Sequence, residues 1–439
     1  MKKVGSFRFW IGGLFGVLIL VNYLDRVNLS AAAPYLMQDF HLTPTQFGIL
    51  ASSFAWTYTL LQIPTGFILD KIGIKWVGRI ATLIWTVSTG LTAFISGLGP
   101  LLVLRMLLGV GEAPAFAAAT KSAGYWFPLQ ERSLATSIFD SATRLANVIG
   151  VPLVAWIVMT WGWRAAFVVT AVISLLLFFW FSALYRDPKN HPKLSKEELA
   201  YIEQGGSQAV DGEKSSIRGL LYLLRQPKVW GLTIGFAAYD YSQFMFLTWI
   251  PGYMAKTMHM DILKSGLYTA IPWLFGFAFD LIIGGWLIDY LIRRGKNPTR
   301  VRKTILVVGL ILGLGVAGAM TTTSPMVAVF WLSVSLAGLS MSAPVTWSIS
   351  TIIAPKGYVG VVTSFMNFVG NIAGIAAPIL TGWLVQRTGN FSAAFLVAAV
   401  ILLIGVLAYT FMLGKIKQLP SPEEAAEQKR KRQEKIISA

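Results

Sequence analysis

Along this 439-residue chain the apolar positions fall in long unbroken runs, each ended by a short polar, basic or glycine-bearing turn. A run of about 20 apolar residues matches the rise of an α-helix across the hydrocarbon core of a bilayer, whereas a transmembrane β-strand needs only about ten residues of alternating polarity. The pattern predicts helices over residues 8–34, 44–69, 77–98, 100–126, 132–158, 163–185, 229–255, 262–290, 303–321, 325–353, 357–386 and 391–414, twelve spans in all. Between the sixth and seventh, residues 187–228 interrupt it with Asp187, Pro188, Pro192 and a Gly205-Gly206 pair. Within that segment Leu194-Ser195-Lys196-Glu197-Glu198-Leu199 places a serine N-cap before two acids, which predicts a short amphipathic helix. The chain is therefore expected to divide into an N-terminal six-helix bundle (1–186), a linker (187–228), a C-terminal six-helix bundle (229–415) and a basic tail (416–439).

Composition sharpens the class. Charged residues make up 13% of the chain and hydrophobic ones 55%, while a soluble domain carries about 25% charged residues. An all-α polytopic membrane protein follows. Cysteine is absent, which removes disulfides, thiolate metal sites and cysteine nucleophiles. The three histidines, His41, His191 and His259, sit in or beside loops. Proton chemistry at membrane depth therefore falls to carboxylates. The net charge of +17 could point to nucleic acid, but its distribution excludes that: 30 basic residues lie in segments on one side of the alternating topology and four on the other. This is the positive-inside pattern, with both termini cytoplasmic. The run Lys429-Arg430-Lys431-Arg432 reads as a solvated tail or one touching anionic lipid. The first apolar segment lacks a small-residue cleavage site and is read as a mature helix. With no metal constellation, no nucleotide loop and no sizeable soluble domain, a polytopic enzyme or sensor is the least favoured class. No cofactor is expected, and a monomer is.

The halves echo each other. Gly66-Phe67-Ile68-Leu69-Asp70 at the end of span 2 recurs as Gly285-Trp286-Leu287-Ile288-Asp289 at the end of span 8, each followed by basic residues, and Phe167 is echoed by Phe395. Parallel six-helix repeats of this kind are the architecture of rocking transporters, whose substrate site lies at midplane between the halves. Gly66, Asp70, Lys71, Gly73 and Lys75, with Gly285 and Asp289, resemble the gating signature of the major facilitator superfamily. Asn22-Tyr23-Leu24-Asp25-Arg26-Val27-Asn28-Leu29 in span 1, and Arg105 to Phe116 in span 4, resemble more narrowly the anion:cation symporter family. That family includes bacterial galactonate, glucarate and hexuronate transporters, vesicular glutamate transporters and sialin. Ala51 stands where the vesicular glutamate members carry a histidine, which argues against that branch.

Eight charges lie deep within the spans, away from their ends: Asp25, Glu112, Asp140, Asp240 and Asp280, with Arg26, Arg105 and Arg144. Each costs about 2.5–3.5 kcal/mol at the bilayer centre and must face a cavity or a partner. Arginine cannot shed its charge, whereas a buried carboxyl can take up a proton. This divides the labour: arginine for an anionic substrate, carboxylates for protons. Arg26 is the candidate for a bidentate contact to the substrate carboxylate. Arg105 and Glu112, seven apart, share one face of their helix and could also form a purely structural ion ladder. The resemblance implies instead that Asp25 and Glu112 are the coupled protonation sites, and that Arg105, among the cavity residues, sets the pKa or gates access. Asp140 and Arg144 are spaced to pair with each other. Thr143 and Arg144 also occupy the stretch where sugar-acid members contact substrate, and a second cavity arginine would suit a dicarboxylate. For sugar hydroxyls the resemblance implies Tyr23, Tyr58, Thr346, Trp347 and Asn367. Asp240 and Asp280 have no partner that sequence can name; each could be a proton or water site or a packing residue.

The reading is a proton-coupled symporter bringing a small organic anion, a sugar acid such as an aldonate, aldarate or hexuronate, through a bacterial inner membrane. Transport of another organic or inorganic anion, with Na⁺ in place of H⁺, stays open.

Overall fold

The computed structural model describes residues 5–128, 131–205, 221–355, 359–421 and 424. All of its regular structure is helical among these residues. Among the described residues nine helices are long and apolar enough to cross a membrane. Pro44–Ile72, Ile74–Thr92 and Pro227–Lys256 complete the twelve spans. Their mean hydropathy is lowered by polar residues turned inward, among them Ser52, Thr59, Thr82, Thr89, Asp240 and Thr248, all buried. The outer surface inverts the soluble pattern: Leu176, Phe179, Phe330, Leu396, Leu403 and Ile404 are exposed. Apolar surface of that extent is stable only against lipid.

Four helix boundaries differ from the hydropathy pattern for local reasons. Span 1 ends at Ala31, and a separate helix, Ala33–Asp39, begins with Pro34 in its first turn. Span 4 runs Leu98–Glu112 and restarts as Pro114–Trp126. Proline has no N–H for the preceding turn, so in both places it opens a new helix. Span 8 is α-helical over Ile262–Phe279, passes through a π-helical segment, Asp280–Leu287, and ends as Ile288–Arg293. Span 9 begins earlier than hydropathy suggests, at Pro298, because Asn297 caps the N–H groups of Thr299 and Arg300.

Gly73 and Gly162 each join two spans through a single residue, with φ of 85° and 84°. A side chain is strained in that left-handed region. Gly73, expected as a signature residue, thus fixes the reversal between spans 2 and 3.

Within the first half span 1 packs on span 5, span 3 on span 6 and span 2 on span 4; in the second, span 7 packs on span 11 and span 10 on spans 8 and 9. The halves meet along span 2 against span 11 and span 5 against span 8. These interfaces exchange when the repeats are exchanged, the mark of a pseudo-twofold axis. At the end remote from the termini the meeting is backbone-close. A Cβ on Gly48 would strike the Pro378 carbonyl, and one on Gly382 would strike that of Pro44. The Trp249 indole N–H donates to the same Pro378 carbonyl at 3.2 Å, with Phe47 edge-on to its ring.

The amphipathic helix expected in the linker is Lys196–Gln204, and Ser195 Oγ accepts from Glu198 N at 3.1 Å. Glu198 is buried and receives the N–H groups of Phe7 and Arg8 at 3.1 Å each, as well as Arg8 Nη1 at 2.9 Å. It caps the first turn of span 1 from a distant part of the chain. Arg8 also grips Glu131 at 2.7 Å, and Tyr201 donates to the same carboxylate. His191 sits between Phe7 and Trp126, accepts Lys193 N–H at Nδ1 and faces the Leu184 carbonyl through Nε2 at 3.0 Å. Accepting at Nδ1 requires the neutral ring, and burial holds its pKa below the ordinary 6.5. A base with a depressed folded pKa favours folding while neutral, so its contribution is lost as pH falls below about 6.5 and levels off under the folded value. We expect the melting temperature to fall over that window and to fall less in His191→Gln, whose amide replaces both bonds without titrating; identical pH profiles for the two proteins would exclude His191 as the cause.

Candidate anion site between the halves

Span 1 supplies the centre of the site: Asn22, Asp25, Arg26 and Asn28 are all buried, with Asn22 and Arg26 one turn apart on a common face. Arg26 Nε donates to Glu112 Oε2 of span 4 at 2.9 Å, and its Nη2 donates to Asn22 Oδ1, one turn earlier, at 3.1 Å. The guanidinium lies 4.4 Å from the Tyr23 ring centre, 4.5 Å from that of Phe54 and 5.1 Å from that of Tyr58. Aromatic faces stabilise a cation removed from water without neutralising it. Glu112 stands at the break before Pro114, and its other oxygen, Oε1, has no partner among the described residues.

Asp25 points elsewhere, as residues 100° apart on a helix must. Its Oδ2 accepts from Ser174 of span 6 at 3.2 Å while Oδ1 is buried with no hydrogen-bond partner among the described residues. Asn28 donates to Thr170 on the same helix at 2.5 Å. Arg105 keeps Nε and Nη1 buried without hydrogen-bond partners among the described residues, its guanidinium 5.5 Å from the Phe54 ring. Arg26, Phe54 and Arg105 line a small cavity whose opposite wall is Phe244, Leu247 and Thr248 of span 7, in the other half. Arg105 and Glu112 thus do not pair along their own helix; the carboxylate is taken by Arg26.

Arg144 makes the local pair that its spacing from Asp140 predicts and a closer one that sequence could not name. Its Nη2 forms an ion pair with Asp280 of span 8 at 2.6 Å, while Asp140 on its own helix is reached more loosely at 3.4 Å. The main partner lies in the opposite half, which the i, i+4 spacing could not reveal. Thr143 gives its hydroxyl to the Asp140 carbonyl at 2.7 Å.

The expected hydroxyl-binding residues are scattered. Tyr23 and Tyr58 flank Arg26. Thr346 is buried and bonded to the Tyr409 hydroxyl at 3.0 Å and to the Ser342 carbonyl, so its oxygen is engaged within its own half. Trp347 is half-buried, edge-on to Phe236. Asn367 donates to Gln62 of span 2 at 2.8 Å, joining the halves. Asp240 packs against Gly370 with no ion pair or hydrogen bond among the described residues. Of the gating signature, Lys71 is exposed, Lys75 is half-buried and Gly285 lies in the π-helical segment. The surroundings of Gly66 and the side chains of Asp70 and Asp289 lie outside what is described. Sequence reasoning missed Asn22, Phe54, Ser174 and Gln62. Only Asn22 carried a signal, its i−4 spacing from Arg26.

A family profile for the Major Facilitator Superfamily matches residues 15–378 and 299–438. The chain belongs to that superfamily. It is a multi-pass membrane transporter and not an enzyme. This superfamily member is 42% identical over 421 residues to an uncharacterized transporter of Bacillus subtilis (strain 168), covering 95% of this chain and 97% of the relative. It is 32% identical over 426 residues to a D-galactonate transporter of Escherichia coli O6:H1, covering 95% and 98%. Its fold matches the crystal structure of a bacterial homolog of the lysosomal transporter Spinster in an inward-facing, unoccupied conformation, with a TM-score of 0.74, 16% identity and coverage of 94% and 98%.

The ion pairs of the transporter make a checkable prediction. Arg144→Ala strands Asp280 and should destabilise the protein by about 3–5 kcal/mol, the cost of leaving one member of a buried pair alone. Adding Asp280→Asn should restore much of that loss, while adding Asp140→Asn should restore little, in thermal melts of the purified protein. Rescue by Asp140→Asn alone would make the local pair the principal one.

Proposed function

We propose that this protein is a proton-coupled importer of a sugar acid, an aldonate, aldarate or hexuronate, working by alternating access in a bacterial inner membrane with both termini cytoplasmic. One observation carries the reading: the arginine suited to a carboxylate, Arg26, is held by a buried carboxylate, Glu112, beside a second arginine whose Nε and Nη1 have no hydrogen-bond partner among the described residues. While Glu112 is ionised it competes with substrate for Arg26. Once it is protonated its hold weakens, and the guanidinium is free to take the substrate carboxylate in bidentate fashion. Proton and anion then load together. Arg105 adds attraction at the cavity wall, and Asp25, with one unpartnered oxygen, is the second proton site. Tyr23 and Tyr58 offer aromatic faces and hydroxyls to a polyol, and Trp347 a flat face from the second half. The galactonate relative supports the substrate class. The backbone-close meeting of spans 2 and 11 at the end remote from the termini supports reading the opposite, terminus-bearing end as the side of release.

Two substitutions test the roles separately. Arg26→Lys should abolish substrate binding, measured by calorimetry, while melting near the wild type, because an ammonium keeps the charge but lacks the fork. Wild-type affinity in this variant removes Arg26 from the site. Glu112→Gln should still exchange substrate in counterflow yet fail to concentrate it under a proton gradient, since the amide mimics a permanently protonated carboxyl. Gradient-driven accumulation at the wild-type level would exclude Glu112 from coupling.

A further inference from the structure

Apart from Asp240, the charges deep within the spans form two centres that share Tyr23. One face of its ring carries Arg26, and the ring lies within electrostatic reach of Asp140 and Arg144 as well. The first centre is spent on the function proposed above; the second, Asp140, Arg144 and Asp280, is not. Three observations set the second apart from a simple structural pair. Arg144 joins the two halves, which must move against each other. Its Nε is buried with no hydrogen-bond partner among the described residues although Nη1 and Nη2 both lie within ion-pair distance of carboxylates. Asp280 opens the π-helical segment of span 8, a distortion of helical bonding that persists mostly where function uses it.

We propose that Arg144 is a second anion-binding centre whose resting counterion is Asp280 of the opposite half, so that a dianionic sugar acid loads with one more proton than a monoanionic one. This rests on the sugar-acid reading. When the second carboxylate of a diacid takes the Arg144 fork, Asp280 loses its cation and is left in a buried setting that does not tolerate a lone charge. It accepts one proton from the aqueous side, and the site passes from Arg144⁺ with Asp280⁻ to Arg144⁺ with substrate carboxylate and neutral Asp280. The charge of the site is conserved by that proton. The groups facing Asp280 allow this: Arg144 and Asp140 from span 5 and Tyr239 from span 7, while span 10, packed along the π-helical segment, carries no titratable side chain. Among the described residues no second cation stands by to hold the carboxylate ionised. A monoacid held on Arg26 leaves the Arg144–Asp280 pair intact.

Calorimetric binding of galactonate and galactarate to the full-length protein tests this between about pH 6 and pH 8, where both acids are fully ionised. In the wild type the logarithm of Kd for galactarate should rise with pH more steeply than that for galactonate, by about one unit per pH unit, the linkage of one extra proton. Asp280→Asn should keep galactarate binding and bring its slope down to that of galactonate. Arg144→Gln combined with Asp280→Asn, which removes the pair without stranding a charge, should weaken galactarate about tenfold or more and galactonate by less than about threefold. Equal slopes in the wild type, an unchanged slope in Asp280→Asn, or loss of both acids alike in the double variant would each overturn the second centre. Binding of galactonate with none of galactarate would do the same while leaving the sugar-acid reading in place. If neither acid binds the wild type, that reading falls and this proposal with it.

Discussion

The 2.9 Å ion pair between Arg26 and Glu112 is the constraint around which the first half is organised. A guanidinium cannot be neutralised, so placing one at membrane depth obliges the surrounding helices to supply an anion, a polar acceptor and aromatic faces at once. Span 4 brings the anion, span 1 the acceptor in Asn22, and span 2 the rings of Phe54 and Tyr58. Those three spans cannot shift far without leaving a charge alone. The break between Glu112 and Pro114 follows the same logic: a helix interrupted at a buried carboxylate can present that carboxylate across the bundle.

A second charge bridge lies between the halves. Arg144 and Asp280 join spans 5 and 8, while the pseudo-symmetric interface of spans 2 and 11 is joined by neutral groups, Asn367 to Gln62. The two interfaces therefore resist separation by different means. An ion pair away from water responds to anions and protons, whereas an amide pair responds to neither. The fold is symmetric in outline and asymmetric in its electrostatics.

Hydropathy was enough to read the twelve spans, since lipid enforces long apolar helices and little else does. The cap of the linker helix was legible too, because Ser195 and Glu198 form a local signal. Helix interruptions were harder: hydropathy is blind to Pro34 and Pro114, although proline chemistry accounts for both once the breaks are seen. The partners of the charged residues were mostly beyond sequence. Spacing along one helix relates Arg105 to Glu112 and Arg144 to Asp140, but the geometry pairs Arg26 with Glu112 and Arg144 with Asp280, contacts made across helices. Thr346 shows the same limit, for nothing local announces that Tyr409 bonds to its hydroxyl.

The glycines at the far end have a consequence for how the protein apportions its time between states. Gly48 and Gly382 let two helices touch backbone to backbone, each against the carbonyl of a proline in the other. A methyl group at either position acts as a wedge, penalising only the arrangement in which that end is shut. Such a wedge alters no group that a substrate would meet, yet it rescales the apparent affinity seen from each side of the membrane, because the fraction of molecules open to that side has changed. The set point of the carrier is thus written partly in van der Waals radii, at a distance from its charges.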